Sequence, residues 1–229
     1  MDSPLGLFGG TFDPVHFGHL RLAAEAREAF RLGRVLFLPA GRPWQRGAAP
    51  AADAAHRVRM LGLAIAGEPA FAVDEREVRR EGPTYTVDTL LELRRERGPE
   101  TPLVFLCGTD ALARVETWHR WEELFGLAHF AVAIRAGDDT WATKGPGAIP
   151  RPLWPRVTTS LRDLLSSPAG RIMSFAMTPL GISSTAIRDL ARASATLRYL
   201  TPDPVVDHIH RHGLYGAPRI PATPTPNET

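Results

Sequence analysis

The chain has 229 residues, 44% of them apolar, a formal charge of +2 and one cysteine. That length and apolar share suit one generous domain with its own core and leave two full domains cramped. The mild charge and lack of a long basic run weigh against a nucleic-acid partner despite a sequence pI near 9.1; a lone thiol excludes an internal disulfide and suits a reducing, cytoplasmic compartment.

Leu5, Leu7 and Phe8 predict a short buried strand, and Gly9 and Gly10 predict a turn where a side chain would collide with a ligand. Asp13-Pro14 breaks the strand. From His16 to Phe30, the residues Leu20, Ala23, Ala26 and Phe30 recur near helical spacing, with Arg21, Glu25 and Glu28 on the polar side. A strand, a glycine pair and a helix start make an anion site, because the first helical turn has unpaired N–H groups and the positive dipole end. His16 and His19 can both lean toward that site and donate hydrogen bonds to phosphate oxygens, and Gly18 permits close approach. An isolated His-x-x-His pair recurs by accident, with one ring packing and the other solvated. Here the flanking strand and glycines favour the phosphate reading.

Residues 34–38, 103–107, 130–134 and 172–177 predict further strands, and residues 57–66 and 87–97 predict helices, the latter stopped by Gly98-Pro99. This alternation implies a parallel sheet covered on both faces: a Rossmann-like, doubly wound α/β fold in a single domain, residues 1–216. Residues 136–155 predict an irregular excursion. Residues 217–229, rich in Pro and Thr, predict a disordered tail whose loss function should survive. In such a sheet ligands collect outside the carboxyl ends of the strands. Gly9-Gly10, residues 39–46, Gly108-Thr109-Asp110 and Arg135 all fall there. Cys107 reads as packing.

Ser183, Ser184 and Thr185 lie where a helix should begin, offering hydroxyls, amides and a dipole beside Arg188, which is expected within the first turn. A plain serine N-cap with a surface arginine is the competing reading. His208 and His212 share a face if their segment is helical, while His210 points away. No carboxylate or cysteine pattern completes that group, so no metal ligand is expected. No run reaches the roughly 18 consecutive apolar residues of a membrane span.

The string from Gly9 to Leu20, GGTFDPVHFGHL, resembles the amino-terminal signature of bacterial nicotinate-mononucleotide adenylyltransferases, nucleotidyltransferases with a His-x-Gly-His phosphate motif. The string from Gly181 to Arg188, GISSTAIR, resembles their Ile-Ser-Ser-Thr-x-x-Arg motif. Two motifs in the right order are more specific than either alone. The resemblance covers residues 5–216 and is weaker between residues 137 and 166. It implies adenylyl transfer from ATP to nicotinate mononucleotide in NAD biosynthesis, giving nicotinate adenine dinucleotide and pyrophosphate.

The resemblance also implies roles. His16 and His19 would bind the ATP phosphates and Arg188 would steady the leaving pyrophosphate, with Gly9, Gly10, Thr11, Phe12, Gly18, Ile182, Ser183, Ser184 and Thr185 completing the nucleotide site. Gly108 would make room for the nucleotide, Asp110 would accept ribose hydroxyls, and Arg135 would lie near the adenosine. The acceptor side would come from residues 82–86, Tyr85 among them, and from residues 117–119: Trp118 would stack on the pyridine ring, and the amides of Thr86, Val87 and His119 would hold its carboxylate. Competing structural readings are an N-cap for Asp110, core packing for Trp118 and a solvated charge for Arg135.

One departure stands out. Relatives carry His-Lys after Pro-Pro, whereas this chain reads Pro43-Trp44-Gln45-Arg46, so Arg46 keeps a charge that could bridge phosphates, with different geometry. The role of Gln45 stays open. The expected partners are ATP and nicotinate mononucleotide, with Mg²⁺ arriving on the ATP; no nucleic acid or membrane is expected, and a homo-oligomer stays open. The alternatives are another acceptor, such as nicotinamide mononucleotide or phosphopantetheine, or a nucleotide sensor without turnover. The Tyr85-Thr86 and Trp118 segments favour a pyridine nucleotide, and intact His16, His19 and Arg188 favour turnover.

Overall fold

Side chains on each buried strand alternate between two apolar layers, which is why these strands read as continuous apolar runs. In the computed structural model, which describes residues 3–42, 49–135 and 149–219, Leu5 and Leu7 of β1 (Leu5–Gly10) face one layer and Phe8 the other. Leu36 and Leu38 alternate with Val35 and Phe37 along β2 (Arg34–Pro39). Phe105 and Cys107 alternate with Val104 and Leu106 along β4 (Leu103–Gly108), and Phe130 and Val132 with Ala131 and Ala133 along β5 (His129–Arg135). Each such side chain contributes about 1.5–3 kcal/mol when fully buried.

With β3 (Phe71–Val73) and β6 (Ile172–Met177), these strands form one parallel sheet in the order β3-β2-β1-β4-β5-β6. The chain starts at the centre, winds outward on one side, then returns to the centre and winds out on the other. The switch point lies between β1 and β4, which is where a doubly wound sheet opens a ligand crevice. The expected fold class is therefore the observed one.

Helices cover both layers. Ala23 and Ala26 of α1 (Phe17–Ala29), Met60 and Leu61 of α2 (Ala54–Ile65), Ile187 and Ala191 of α8 (Ser184–Arg192) and Val205 and Ile209 of α9 (Asp203–His212) pack on the layer containing Phe8 and Phe37. Leu90 and Leu93 of α4 (Thr86–Arg97) and Leu124 and Phe125 of α6 (Trp121–Leu127) pack on the other. Three shorter helices, α3 (Arg76–Arg79), α5 (Thr109–Leu112) and α7 (Leu161–Leu165), complete the set among the described residues. None of these helices is long and apolar enough to cross a membrane.

Some expectations shift. Gly9 and Gly10 do not turn the chain: they stay in β1, paired with Leu38 and Pro39, and the bend follows at Thr11. Helix α2 begins at Ala54, earlier than expected, because the Asp53 carboxylate accepts the His56 amide at 2.9 Å and caps it. The first residues of the expected tail are packed, with Ala217 buried against the α8 side of the core. The remainder of that tail from residue 220, the segment 43–48 with Gln45 and Arg46, and residues 136–148 of the expected excursion lie outside the described residues.

Candidate active site

The loop leaving β1 is fixed from three directions. The Asp13 carboxylate accepts the amides of Ala51 at 2.7 Å and Ala52 at 3.1 Å, and also the Tyr215 hydroxyl at 2.7 Å. Burial, and then the Asp13 charge, push the Tyr215 phenol well above its usual range, so it stays a neutral donor. Arg57, almost wholly buried, donates to the carbonyls of Thr11 at 2.8 Å and Ala52 at 3.2 Å. Thr201 donates its hydroxyl to the Val15 carbonyl at 2.8 Å. Phe12 sits in this bend with φ of 50°, a left-handed conformation costly for an aromatic residue and held by burial on every side.

At the end of the loop His16 caps α1, and its amide donates to Nδ1 of His19 at 3.2 Å. An accepting Nδ1 places the proton of a neutral His19 on Nε2, leaving an N–H donor at the far side of the ring. The two imidazoles lie nearly face to face, 3.7 Å between centroids, and His19 packs on Phe12 at 5.0 Å. Gly18 makes this possible, since a Cβ there would stand 3.0 Å from two atoms of the His16 ring.

The carboxyl-terminal motif meets this loop directly. Ser183 caps α8 by accepting the Ala186 amide at 3.1 Å, and Ser184 donates to the Pro14 carbonyl at 2.8 Å. Arg188 donates to the Asp13 carbonyl at 2.7 Å and to the Thr185 hydroxyl at 3.2 Å. Ile182 is half-buried, its carbonyl beside Gly18. The two motifs, distant in sequence, thus close on one backbone loop. Arg188 stands a full turn into α8 rather than in its first turn.

Beside this loop a cleft of about 460 Å³ opens at the carboxyl ends of β1 and β4, lined by Gly9, Gly10 and Thr11 on one side and Gly108 on the other. Thr86, Trp118 and His119 close its far wall. Thr86 is the first residue of α4, whose opening amides have no acceptor within the helix. Trp118 meets Phe105 edge-on at 5.9 Å, and Tyr85 stacks on His119 at 4.3 Å. Burial pushes the Cys107 thiol, at the cleft floor, up to about 12, which suits packing rather than reaction.

Three expected site residues stand apart from their assigned roles. The Val87 side chain is fully buried in the core, so only its amide can serve a ligand. Asp110 is exposed in the first turn of α5, and Gly108 takes the cap position instead. Arg135 ends β5, and its side chain lies outside the described residues. Sequence reasoning missed Asp13, Arg57 and Tyr215 as the frame of the loop, and Glu77 and Arg114 as cleft walls. Asp13 lies inside the motif string and could have been weighed as a hydrogen-bond hub; the others have no local signature. Burial raises the Glu77 carboxyl pKa, while the Thr89 hydroxyl donates to it at 2.8 Å.

The cytidylyltransferase-like family matches residues 7–190. This chain is 49% identical over 215 residues, 94% of its length and 99% of the relative's, to a Dechloromonas aromatica protein named "Probable nicotinate-nucleotide adenylyltransferase". A Laribacter hongkongensis protein of the same name is 51% identical over 212 residues, covering 92% of this chain and 94% of the relative. The chain belongs to the nicotinate-nucleotide adenylyltransferase family. The fold of that family recurs in the nicotinic acid mononucleotide adenylyltransferase of Plasmodium falciparum solved with NaAD, at a TM-score of 0.69 and 16% identity over 95% of this chain and 99% of that one. The meeting of the two motifs on the Asp13–His16 loop is the geometry this family assignment has to account for.

Proposed function

We propose that this protein transfers the adenylyl group of ATP to nicotinate mononucleotide, giving nicotinate adenine dinucleotide and pyrophosphate. The observation that carries the reading is the closure of His16, His19 and Arg188 around one loop, which adjoins the β1–β4 cleft through Thr11 although none of the three lines the cleft itself. A phosphate oxygen of the acceptor attacks the α-phosphorus of ATP, the bond to the β-phosphate oxygen breaks, and pyrophosphate leaves with that electron pair. No protein nucleophile is needed, so the chain's work is to align the reactants and meet developing charge. The Nε2–H of His19, the His16 ring and the Gly18 amide are donors for the phosphates, while the Phe17 and His19 amides are given to the Leu200 and His16 carbonyls; Arg188, held by Asp13 and Thr185, faces the leaving group. Mg²⁺ enters as part of the nucleotide, held by phosphates and water more than by protein.

On the acceptor side, the amides at the start of α4 offer a carboxylate both donors and the positive dipole end. A neutral amide would turn its own donors toward those N–H groups. Trp118 supplies a flat face for the pyridine ring. A biosynthetic role in the cytoplasm fits the buried free thiol. Purified protein incubated with ATP and a panel of acceptors tests the reading: dinucleotide and pyrophosphate should appear in equal amounts with nicotinate mononucleotide. ATP binding without pyrophosphate release would replace it with a sensor, and turnover confined to phosphopantetheine would replace the acceptor.

A further inference from the structure

Away from the cleft, three imidazoles from two helices converge. His208 and His212, one turn apart on α9, have ring centroids 4.4 Å apart, and His56 from the first turn of α2 lies 5.2 Å and 4.8 Å from them. One nitrogen from each ring lies within 4.8 Å of the other two. His56 Nδ1 and His208 Nε2 are 3.0 Å apart. His210, the other histidine of the helix, turns away to the Pro218 carbonyl at 3.2 Å. We propose that His56, His208 and His212 form a binding site for a divalent transition metal of the zinc class, which clips α9 to α2.

Zinc–imidazole bonds of about 2.0–2.1 Å in a tetrahedron put the donor nitrogens roughly 3.3 Å apart. The close pair would open by a few tenths of an ångström, and His212, exposed at the edge of the cluster, has the freedom to close the triangle. An imidazole–imidazole hydrogen bond accounts for two of the rings and leaves the third without a reason to be there. The donor set contains no carboxylate. Neutral nitrogen ligands suit Zn²⁺, Ni²⁺ or Cu²⁺ and are poor for Mg²⁺, so this site and the nucleotide's own cation would not compete.

Position gives the clip a consequence. His56 precedes Arg57, which holds the Thr11 carbonyl, and α9 leads into Tyr215, which holds Asp13. Both clipped helices therefore brace the loop that carries His16.

The test uses tag-free full-length protein, stripped with a chelator and titrated with Co²⁺ and then Zn²⁺. We expect one equivalent of Co²⁺ per chain with a tetrahedral visible spectrum, displaced by Zn²⁺. At a Zn²⁺ concentration about a hundredfold above Kd, Tm should rise by about 5–10 °C. Both responses should vanish in His56→Ala and His212→Ala and persist in His210→Ala. Should His56→Ala fail to fold, the exposed His212→Ala carries the comparison. Wild-type protein that takes up no Co²⁺, or a His212→Ala variant that binds it as wild type does, would overturn the proposal.

Discussion

The loop beside the cleft and the cleft's far wall are built on different principles. The region proposed to meet phosphate, residues 11–19 with α8, is held by part-buried hydrogen bonds between groups remote in sequence: Asp13 to Ala51 and Tyr215, Arg188 to Asp13, Ser184 to Pro14. The acceptor wall, residues 84–86 with Trp118 and His119, rests on ring contacts and on the free amides of one helix start, and His119 is exposed. Groups that must meet charge developing in a transition state benefit from being fixed beforehand, since any reorganisation would be charged against the barrier. On the proposed function, a surface that only has to receive a flat ring and a carboxylate can be lighter. Losses in the first region should therefore appear in kcat, and losses in the second in KM and in the choice of acceptor.

The sharpest break in that comparison is His19→Ala or His16→Ala, which should each lower kcat by about 10²–10³-fold while the protein stays folded. Steady-state kinetics with a circular dichroism control checks this, and near-normal kcat in either variant would count against the assigned roles. Asp13→Ala comes next. It deletes a carboxylate with three hydrogen bonds, each worth about 1.5–3 kcal/mol when the acceptor is charged, and should lower the denaturation midpoint as well as kcat. If only one of the two falls, the loop is not the mechanical frame of the site.

Trp118→Ala removes the stacking face, worth about 0.5–1.5 kcal/mol beyond its area. It should raise KM for the acid and amide mononucleotides by the same several-fold factor, and a selective loss of one acceptor would show that the indole also discriminates. The smallest effect concerns pH and a site remote from both regions. His129 is buried and neutral, accepting the Arg171 amide at Nδ1 at 3.0 Å and donating from Nε2 to the Ser167 carbonyl at 2.8 Å. Burial above all, with Arg94 and Arg171 adding to it, lowers its pKa below the ordinary 6.5. The unfolded chain then binds the proton first, so this contribution to stability is fully present above pH 6.5 and is lost as pH falls from there through the depressed native value. Denaturant midpoints between pH 5 and 8 should fall on acidification in wild type and flatten in His129→Gln; parallel curves would remove His129 from the account.

The local geometry of the loop and of the α8 start was legible because it sits in two short strings: a strand, a glycine-flanked histidine pair at a helix start, and a serine cap. The strands were legible for the same reason, since a layer on each face forces continuous apolar runs in β1, β2, β4 and β5. What the sequence hid depends on remote partners. Nothing near Arg57 says that its guanidinium will be buried against the Thr11 carbonyl, and nothing near His208 says that His56 will arrive from another helix. The edge strand β3 has only Phe71, Ala72 and Val73 to announce it, too few for a period to show. The glycine pair misled in detail because a parallel neighbour on β2 keeps it extended where isolated glycines suggest a turn.

The division of labour between the two regions is tested most directly by kcat/KM for nicotinate mononucleotide and for its amide counterpart, measured in wild type and in His19→Ala. Wild type should favour the acid by roughly tenfold to hundredfold for each amide N–H that the neutral acceptor leaves unsatisfied, at about 1–3 kcal/mol per group. His19→Ala should lower both values by the same factor through kcat, so that the acid-to-amide ratio stays at the wild-type value. A ratio near one in wild type, or a ratio that collapses when His19 is removed, would contradict the assignment of chemistry to one region and acceptor choice to the other.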